Sequence, residues 1–188
     1  MGSVVVMTEI SDRFRRRAAA FTERVEAVPD DRWDAQSPCE DWVARDIVQH
    51  MVDNGARFYG LVGRELPAGP SVADDPVGAW VSVRDAVQQG LDDPDMAEVE
   101  YEGLMGKGTF ESGVDRFASP DLVIHTWDLA RATDGDERLD PQDVHEVFET
   151  MKPLDDVIRR PGVMGPKLDP PPGADEQTQL LAFLGRRA

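Results

Sequence analysis

The chain has 188 residues, 40% of them hydrophobic and 30% charged, which is typical of a soluble globular protein; we predict one domain over residues 1–188. The formal net charge of −17 argues against binding to nucleic acid or to an anionic membrane, since both require clustered lysine and arginine. One cysteine excludes an internal disulfide bond. The first seven residues lack the basic segment of a signal peptide, and no stretch approaches the roughly 20 apolar residues of a membrane span, so we expect a cytoplasmic protein.

Five segments have apolar residues recurring every three or four positions, the spacing of one buried helical face. We predict helices at about 8–28, 42–62, 75–91, 109–132 and 141–158. Ser37 and Asp41 are the cap candidates of the second helix, and Thr109 caps the fourth. Pro120 falls inside the fourth helix and should bend or divide it, because proline lacks a backbone N–H.

The segments between and after these helices carry weaker patterns. Residues 92–109 alternate polar and apolar side chains and contain several glycines, which fits either a short strand pair or an irregular crossover; we favour the crossover. Residues 161–172 are rich in proline and glycine and should be extended, and 179–184 should form a short closing helix. The sum is an all-α protein, most simply a four-helix bundle with additions.

The most informative segment is 121–130, DLVIHTWDLA, which carries three metal-capable side chains in an otherwise apolar helix. Asp121, His125 and Asp128 are three or four residues apart and therefore lie on one helical face. His50 lies in a second apolar helical run. A single histidine in such a setting is more often a hydrogen-bonded core residue than a ligand. Two inward histidines with a carboxylate, however, could assemble a metal site with an open position.

Two motifs resemble a known family. Residues 37–50 read SPCEDWVARDIVQH, which resembles the start of the second helix in DinB-like proteins. The match is closer to the N-terminal domain of mycothiol-dependent maleylpyruvate isomerase. Residues 125–132, HTWDLARA, are similar to the second signature of that group, and 161–166 and 181–186 resemble the tail of a single-domain branch of it.

The resemblance implies a DinB-like four-helix bundle, with extra helices and an irregular C-terminal tail, that binds a divalent metal, zinc or nickel most often. The implied ligands are His50, Asp121 and His125. Asp121 stands where the isomerase has glutamate, so its side chain is one methylene shorter. The isomerase also has a second, C-terminal domain that contributes to its site. The residues after Gly135 are too few to supply one, so activity on maleylpyruvate is not assumed.

Asp128 has two interpretations. Its carboxylate can orient the ligand His125. Asp128 would then be a catalytic residue in addition to the three metal ligands. Alternatively, it can pair with Arg45 or Arg131 as a structural residue. We favour the first interpretation.

The remaining candidates have simpler explanations. We interpret Cys39 as a small structural residue, and we place His145 on the surface of a charged helix. The tryptophans fit core positions better than a binding site; they are Trp33, Trp42, Trp80 and Trp127.

Three functions fit a site of two histidines and a carboxylate. The first, which we favour, is a transferase or isomerase that uses a small-molecule thiol, by resemblance mycothiol, to attack a small electrophilic substrate at a metal that lowers the thiol pKa. The second is a non-catalytic bundle that binds a metal or small molecule. The third is a metal-dependent hydrolase. DinB-like proteins often dimerise through a helical face, so the resemblance also allows a homodimer.

Overall fold

The computed structural model describes residues 8–103, 106–159 and 165–188. Two compact units are present, one ending at Glu137 and one beginning at Arg138. The prediction of one domain over 1–188 stays a prediction. No helix within the described ranges is long and apolar enough to cross a membrane.

Helices form nearly all of the regular structure in the first unit, with one small hairpin. In chain order the elements are α1 (Glu9–Glu26), α2 (Ala44–Leu61), α3 (Pro76–Asp92), α4 (Pro94–Ala97), β1 (Glu100–Gly103), β2 (Gly106–Thr109), α5 (Phe110–Gly113), a π-helical segment (Val114–Ala118) and α6 (Ser119–Ala132). The predicted all-α class is confirmed.

Four long helices make the bundle of this unit. Helix α1 packs against α3 and α6, and α2 packs against the same two helices. Helices α1 and α2 therefore occupy opposite corners of the bundle, each bordered by α3 and α6. This arrangement puts α2 beside α6, the two helices on which the predicted metal ligands lie.

Helix α3 is held on one side by large side chains packed against α1 and on the other by a close approach to α2. The rings of Phe21 and Trp80 meet edge to face with centroids 4.9 Å apart. The Trp80 indole N–H donates to Thr22 Oγ1 at 2.9 Å, so the buried donor is satisfied. On the other side, α2 approaches α3 at Gly55, where an added Cβ would lie 2.3 Å from a methyl carbon of Val83.

Helix α6 is preceded by the short helix α5 and a π-helical segment, and the sequence explains both. Thr109 and Ser112 form a reciprocal capping box at α5, as the sequence predicts for Thr109. The π-helical turn Val114–Ala118 follows, and α6 begins at Ser119 with Pro120 in its first turn. The sequence predicts a bend or a division at Pro120, and the helical run is divided just before that residue, where α6 begins at Ser119. Proline there removes one backbone donor, and a wide π turn accommodates the disruption.

Two sequence predictions for the first unit were wrong. Residues 92–109 contain an antiparallel hairpin in which Glu100 pairs with Thr109 and Gly103 with Gly106, rather than an irregular crossover. Neither Ser37 nor Asp41 caps α2. Its N-cap is Val43, whose backbone N–H donates to the Asp46 carboxylate at 2.8 Å. A carboxylate in the first turn thus supplies the capping acceptor.

The second unit contains shorter helices. They are α7 (Pro141–Met151), a 3₁₀ turn (Lys152–Leu154), α8 (Asp155–Ile158) and α9 (Glu176–Phe183). The prediction of one continuous helix over 141–158 was wrong, because Pro153 cannot donate an intrahelical hydrogen bond. The closing helix is confirmed, and it begins earlier than predicted because Asp175 caps it through the Thr178 N–H at 2.8 Å. Residues 165–170 lack regular structure, and 160–164 lie outside the described residues.

Candidate metal centre

The two predicted histidines and the predicted carboxylate converge between α2 and α6. His50 Nε2 lies 3.2 Å from Asp121 Oδ2, and the rings of His50 and His125 have centroids 5.0 Å apart. One ligand atom from each of the three residues lies within 4.8 Å of the other two. The spacing of four residues on α6 places Asp121 and His125 on the same face, and that face meets His50.

This donor set fits a divalent metal ion. Bonds of about 2.0–2.1 Å to a tetrahedral ion put two ligand atoms about 3.3 Å apart. The separation of 3.2 Å between His50 Nε2 and Asp121 Oδ2 already matches that value. Imidazole nitrogen and carboxylate oxygen are also the ligand types that zinc and nickel accept. Three protein ligands would leave at least one coordination position for another molecule.

Asp128 contacts His125, a candidate ligand, and pairs with neither of the two arginines that the sequence suggested. Asp128 Oδ2 lies 3.0 Å from His125 Nδ1, and the side chain is fully buried. Arg45 instead donates to backbone carbonyls of 72 and 73, and Arg131 donates to Glu137. This direct contact supports the favoured interpretation, in which Asp128 orients His125. With Nδ1 engaged, Nε2 is the ring nitrogen of His125 left to face the candidate site.

Asn54 is a polar side chain of the site that the sequence predictions do not include. Its amide nitrogen lies 3.0 Å from His50 Nε2 and 3.1 Å from Asp121 Oδ2. Asn54 is buried, one helical turn after His50 on α2. The signal in the sequence is its spacing of four residues from His50, which places both side chains on one face.

The loop between α1 and α2 forms one wall of the site. The Trp42 ring lies 5.0 Å from the His50 ring and stacks on His125 at 5.9 Å. Cys39 Sγ lies 3.5 Å from Asp128 Oδ2. Trp42 packs against the hydrophobic core, as predicted, and its half-buried ring also contacts both candidate ligands. The structural role of Cys39 stays a prediction, with its thiol now located beside the site.

Hydrogen bonds fix the shape of this loop. The amide of Gln36 donates to the carbonyl oxygens of Ser37 and Trp42, at 3.1 Å and 2.8 Å. Ser37 Oγ accepts from the Cys39 N–H at 3.1 Å. Asp41 has a φ of 64°, a left-handed conformation in which aspartate is among the commoner non-glycine residues. The polar residues predicted to cap α2 instead build the loop that carries Trp42.

His145 lies on the surface of the second unit, as predicted. Its Nδ1 lies 2.8 Å from Glu176 Oε1, which links α7 to α9. That hydrogen bond, followed by the charge of Glu176, raises the pKa of His145. Glu149 is also close, but its carboxylate pairs with Lys152. We interpret this exposed group as an ion-pair network.

The fold and the site define a helical-bundle protein whose helices α2 and α6 bring two histidines and a carboxylate together. The chain belongs to the mycothiol maleylpyruvate isomerase N-terminal domain family, whose model matches residues 14–130. This is the group that the motifs at 37–50 and 125–132 indicate. The matched region contains every residue described above as part of the candidate site.

Two similar proteins come from strains of Mycobacterium tuberculosis, CDC 1551 / Oshkosh and H37Rv. Both are described as uncharacterized. Each is 28% identical over 189 aligned positions, which cover 92% of this chain and 94% of the relative. No solved structure matches the chain significantly.

Proposed function

We propose that this protein is a metal-dependent transferase or isomerase that uses a small-molecule thiol, mycothiol by family membership, against a small electrophilic substrate. The observation that carries the proposal is that one ligand atom from each of His50, Asp121 and His125 lies within 4.8 Å of the other two. Family membership supports the use of a thiol, since the family is named after mycothiol maleylpyruvate isomerase.

The residues present have distinct tasks in this proposal. His50, Asp121 and His125 would hold the ion, and Asp128 holds the His125 ring through Nδ1 at 3.0 Å. The Trp42 ring lies against both histidines and limits the directions from which water and substrate can approach. When bound, a divalent metal would supply a positive charge that lowers the pKa of a thiol beside it, so that more of the thiol is the nucleophilic thiolate.

The first experiment measures metal content in protein purified without chelator or nickel resin. Wild type should carry about one divalent ion per chain, in line with a three-ligand site. His50→Ala and His125→Ala should lose it. His145→Ala is the matched control, because it removes the third histidine of the chain from an exposed position in the second unit.

The second experiment tests the thiol and the reaction. Mycothiol added to the metal-loaded protein should raise the melting temperature and permit conjugation or isomerisation of small electrophiles. It should do neither with His50→Ala. Metal binding without any response to thiol contradicts the thiol chemistry and favours a non-catalytic metal-binding bundle. Hydrolysis of esters or amides without thiol favours a hydrolase. A wild type that takes up no zinc, nickel or manganese contradicts both enzymatic functions.

A further inference from the structure

The contacts of Asn54 restrict how the candidate ligands share protons. The amide nitrogen of Asn54 carries two hydrogens and lies 3.0 Å from His50 Nε2 and 3.1 Å from Asp121 Oδ2. An amide N–H can only donate, so His50 Nε2 must be the acceptor in the first contact. The one lone pair of Nε2 then points at the Asn54 amide, and the proton of the neutral ring is on Nδ1.

Arg57 fixes the direction of this amide. Its guanidinium Nη1 donates to Asn54 Oδ1 at 3.2 Å. A guanidinium has no acceptor, so the oxygen of the amide must face Arg57 and the nitrogen must face the site. Rotating the amide by 180° would place a donor against a donor at Arg57. Arg57, Asn54 and the two ligands therefore form one hydrogen-bonded chain.

Without this amide, His50 and Asp121 could form a hydrogen bond with each other. At 3.2 Å, a proton on His50 Nε2 would make a hydrogen bond to Asp121 Oδ2. The carboxylate would strengthen that bond, because bonds to a charged acceptor are stronger than bonds between neutral groups. The bond would also use the two atoms that could bind a metal, His50 Nε2 and Asp121 Oδ2. A metal ion would then have to break the bond and displace the proton from His50.

We propose that Asn54, oriented by Arg57, is a positioning residue that keeps His50 Nε2 unprotonated and directed into the site, and thereby increases its affinity for a divalent metal. The inference deepens the proposed function and rests on it for the identity of the site. Because Asn54 donates to both ligand atoms, a metal ion that binds there displaces two hydrogen bonds and no proton. Its second hydrogen also fixes the orientation of the Asp121 carboxylate.

The tautomer of His50 tests the inference in metal-free protein. Long-range ¹H–¹⁵N correlation spectra distinguish the two nitrogens of each imidazole. The three histidines are assigned by replacing them one at a time. In wild type at a pH where the rings are neutral, His50 should carry its proton on Nδ1. In Asn54→Leu, which keeps the side-chain shape but removes the donors, the proton should move to Nε2. A wild type with the proton on Nε2 overturns the inference.

Metal affinity tests the consequence. Zn²⁺ titrated into the chelator-treated protein should bind Asn54→Leu about tenfold more weakly than wild type, the lower end of the effect of residues that orient ligands. Arg57→Met should weaken binding by a smaller factor, because the amide is retained but no longer oriented. In the Asn54→Leu background, Arg57→Met should have no further effect. Independent effects of the two substitutions would contradict the hydrogen-bonded chain.

A neighbouring pair on the same helix provides the control. Gln49 Nε2 donates to Asp53 Oδ1 at 2.8 Å on the exposed side of α2. Gln49→Leu removes an amide donor beside His50 in sequence but outside the site, and should leave Zn²⁺ affinity and the His50 tautomer unchanged. If wild type binds no Zn²⁺, the proposed function and the affinity consequence are both wrong. The tautomer of metal-free wild type still decides whether the amide sets the state of His50.

Discussion

Asp128 Oδ2 lies 3.0 Å from His125 Nδ1, one turn apart on α6, and both side chains are buried. A buried carboxylate is stable only when its oxygens accept hydrogen bonds, and the His125 N–H supplies one of them. The same bond fixes which way the imidazole ring faces. A residue outside the candidate ligand set thereby determines the nitrogen that His125 offers to the candidate site.

Asp128→Asn should weaken Zn²⁺ binding by about tenfold to a hundredfold, the range found when the partners of metal-ligating histidines are changed. Asparagine has a similar shape but no charge, so its oxygen is a poorer acceptor and its amide can present a donor to Nδ1 instead. Isothermal titration of the chelator-treated protein measures the effect.

Asp53→Asn is the matched control for this change. It makes the same substitution on the exposed side of α2 and should leave affinity unchanged. The unfolding free energy of each metal-free variant separates a loss of affinity from a loss of fold. Zn²⁺ binding by Asp128→Asn that equals wild type would contradict the orienting role of Asp128.

Gly55→Ala should destabilise the protein by about 1–2 kcal/mol. Alanine is favoured over glycine within a helix by up to about 1 kcal/mol. At Gly55, however, the new Cβ would lie 2.3 Å from Val83 Cγ1, and a valine side chain has little rotamer freedom with which to retreat. Overpacking of this kind costs about 1–3 kcal/mol, which exceeds the gain in helix propensity. Chemical denaturation measures the difference.

Gly60→Ala separates packing from propensity. Gly60 is also in α2, and nothing lies within 4 Å of a Cβ added there. The substitution should therefore stabilise the protein by up to about 1 kcal/mol, with less expected near the helix end. If both alanines stabilise the protein, the close approach of α2 to α3 does not exist in solution.

Local sequence signals account for the parts of the fold that could be predicted. Spacing of three and four residues identifies α1, α2, α3 and α6, and the same spacing identifies the shared face of Asp121 and His125. Caps formed by a side chain immediately before the helix, such as Thr109, are also local. The cap of α2 was missed because the acceptor is Asp46, inside the first turn, while the N-cap itself is the apolar Val43.

Contacts between distant segments account for most of what the sequence left undetermined. The approach of Cys39 to Asp128 joins residues 89 positions apart, and no periodic pattern encodes it. Asn54 could be placed on the face of His50, but its position between His50 and Asp121 depends on how α2 packs against α6. The hairpin at 100–109 was misjudged because its strands are only four residues long, and pairing rather than propensity stabilises such strands.

Thr22→Val should destabilise the protein by about 1–3 kcal/mol. The substitution keeps the shape of the side chain and removes the hydroxyl that accepts from the Trp80 indole N–H at 2.9 Å. Trp80 is 2% exposed, so water cannot easily replace the lost acceptor, and an unsatisfied buried donor carries this cost. Thermal or chemical unfolding measures the change.

Thr126→Val is a closely matched control. Both threonines are buried, and both hydroxyls donate to the carbonyl four residues earlier, Thr22 to Ala18 at 2.7 Å and Thr126 to Leu122 at 2.6 Å. That bond is shared, so the two sites differ in the donors to Thr22 Oγ1, which are the Trp80 indole N–H at 2.9 Å and the Arg84 guanidinium at 3.3 Å. Equal losses of stability in the two variants would show that neither of these hydrogen bonds contributes.

His145 should titrate above the ordinary histidine pKa of about 6.5. The hydrogen bond to Glu176, and then the charge of Glu176, raise the pKa by favouring the protonated ring. A group whose pKa is raised by folding stabilises the folded state fully below its unfolded pKa. That contribution is lost as the pH rises through the folded pKa. The link between α7 and α9 should therefore weaken as the pH rises through the raised pKa of His145.

An NMR titration of the His145 ring measures this pKa directly. Glu176→Gln should lower it toward the ordinary value, because the substitution removes the charge and weakens the acceptor. Glu149→Gln should lower it less, since Glu149 acts on His145 only through its charge and is itself paired with Lys152. A titration unchanged by Glu176→Gln would mean that His145 and Glu176 do not pair in solution, and that the link between the two helices lies elsewhere.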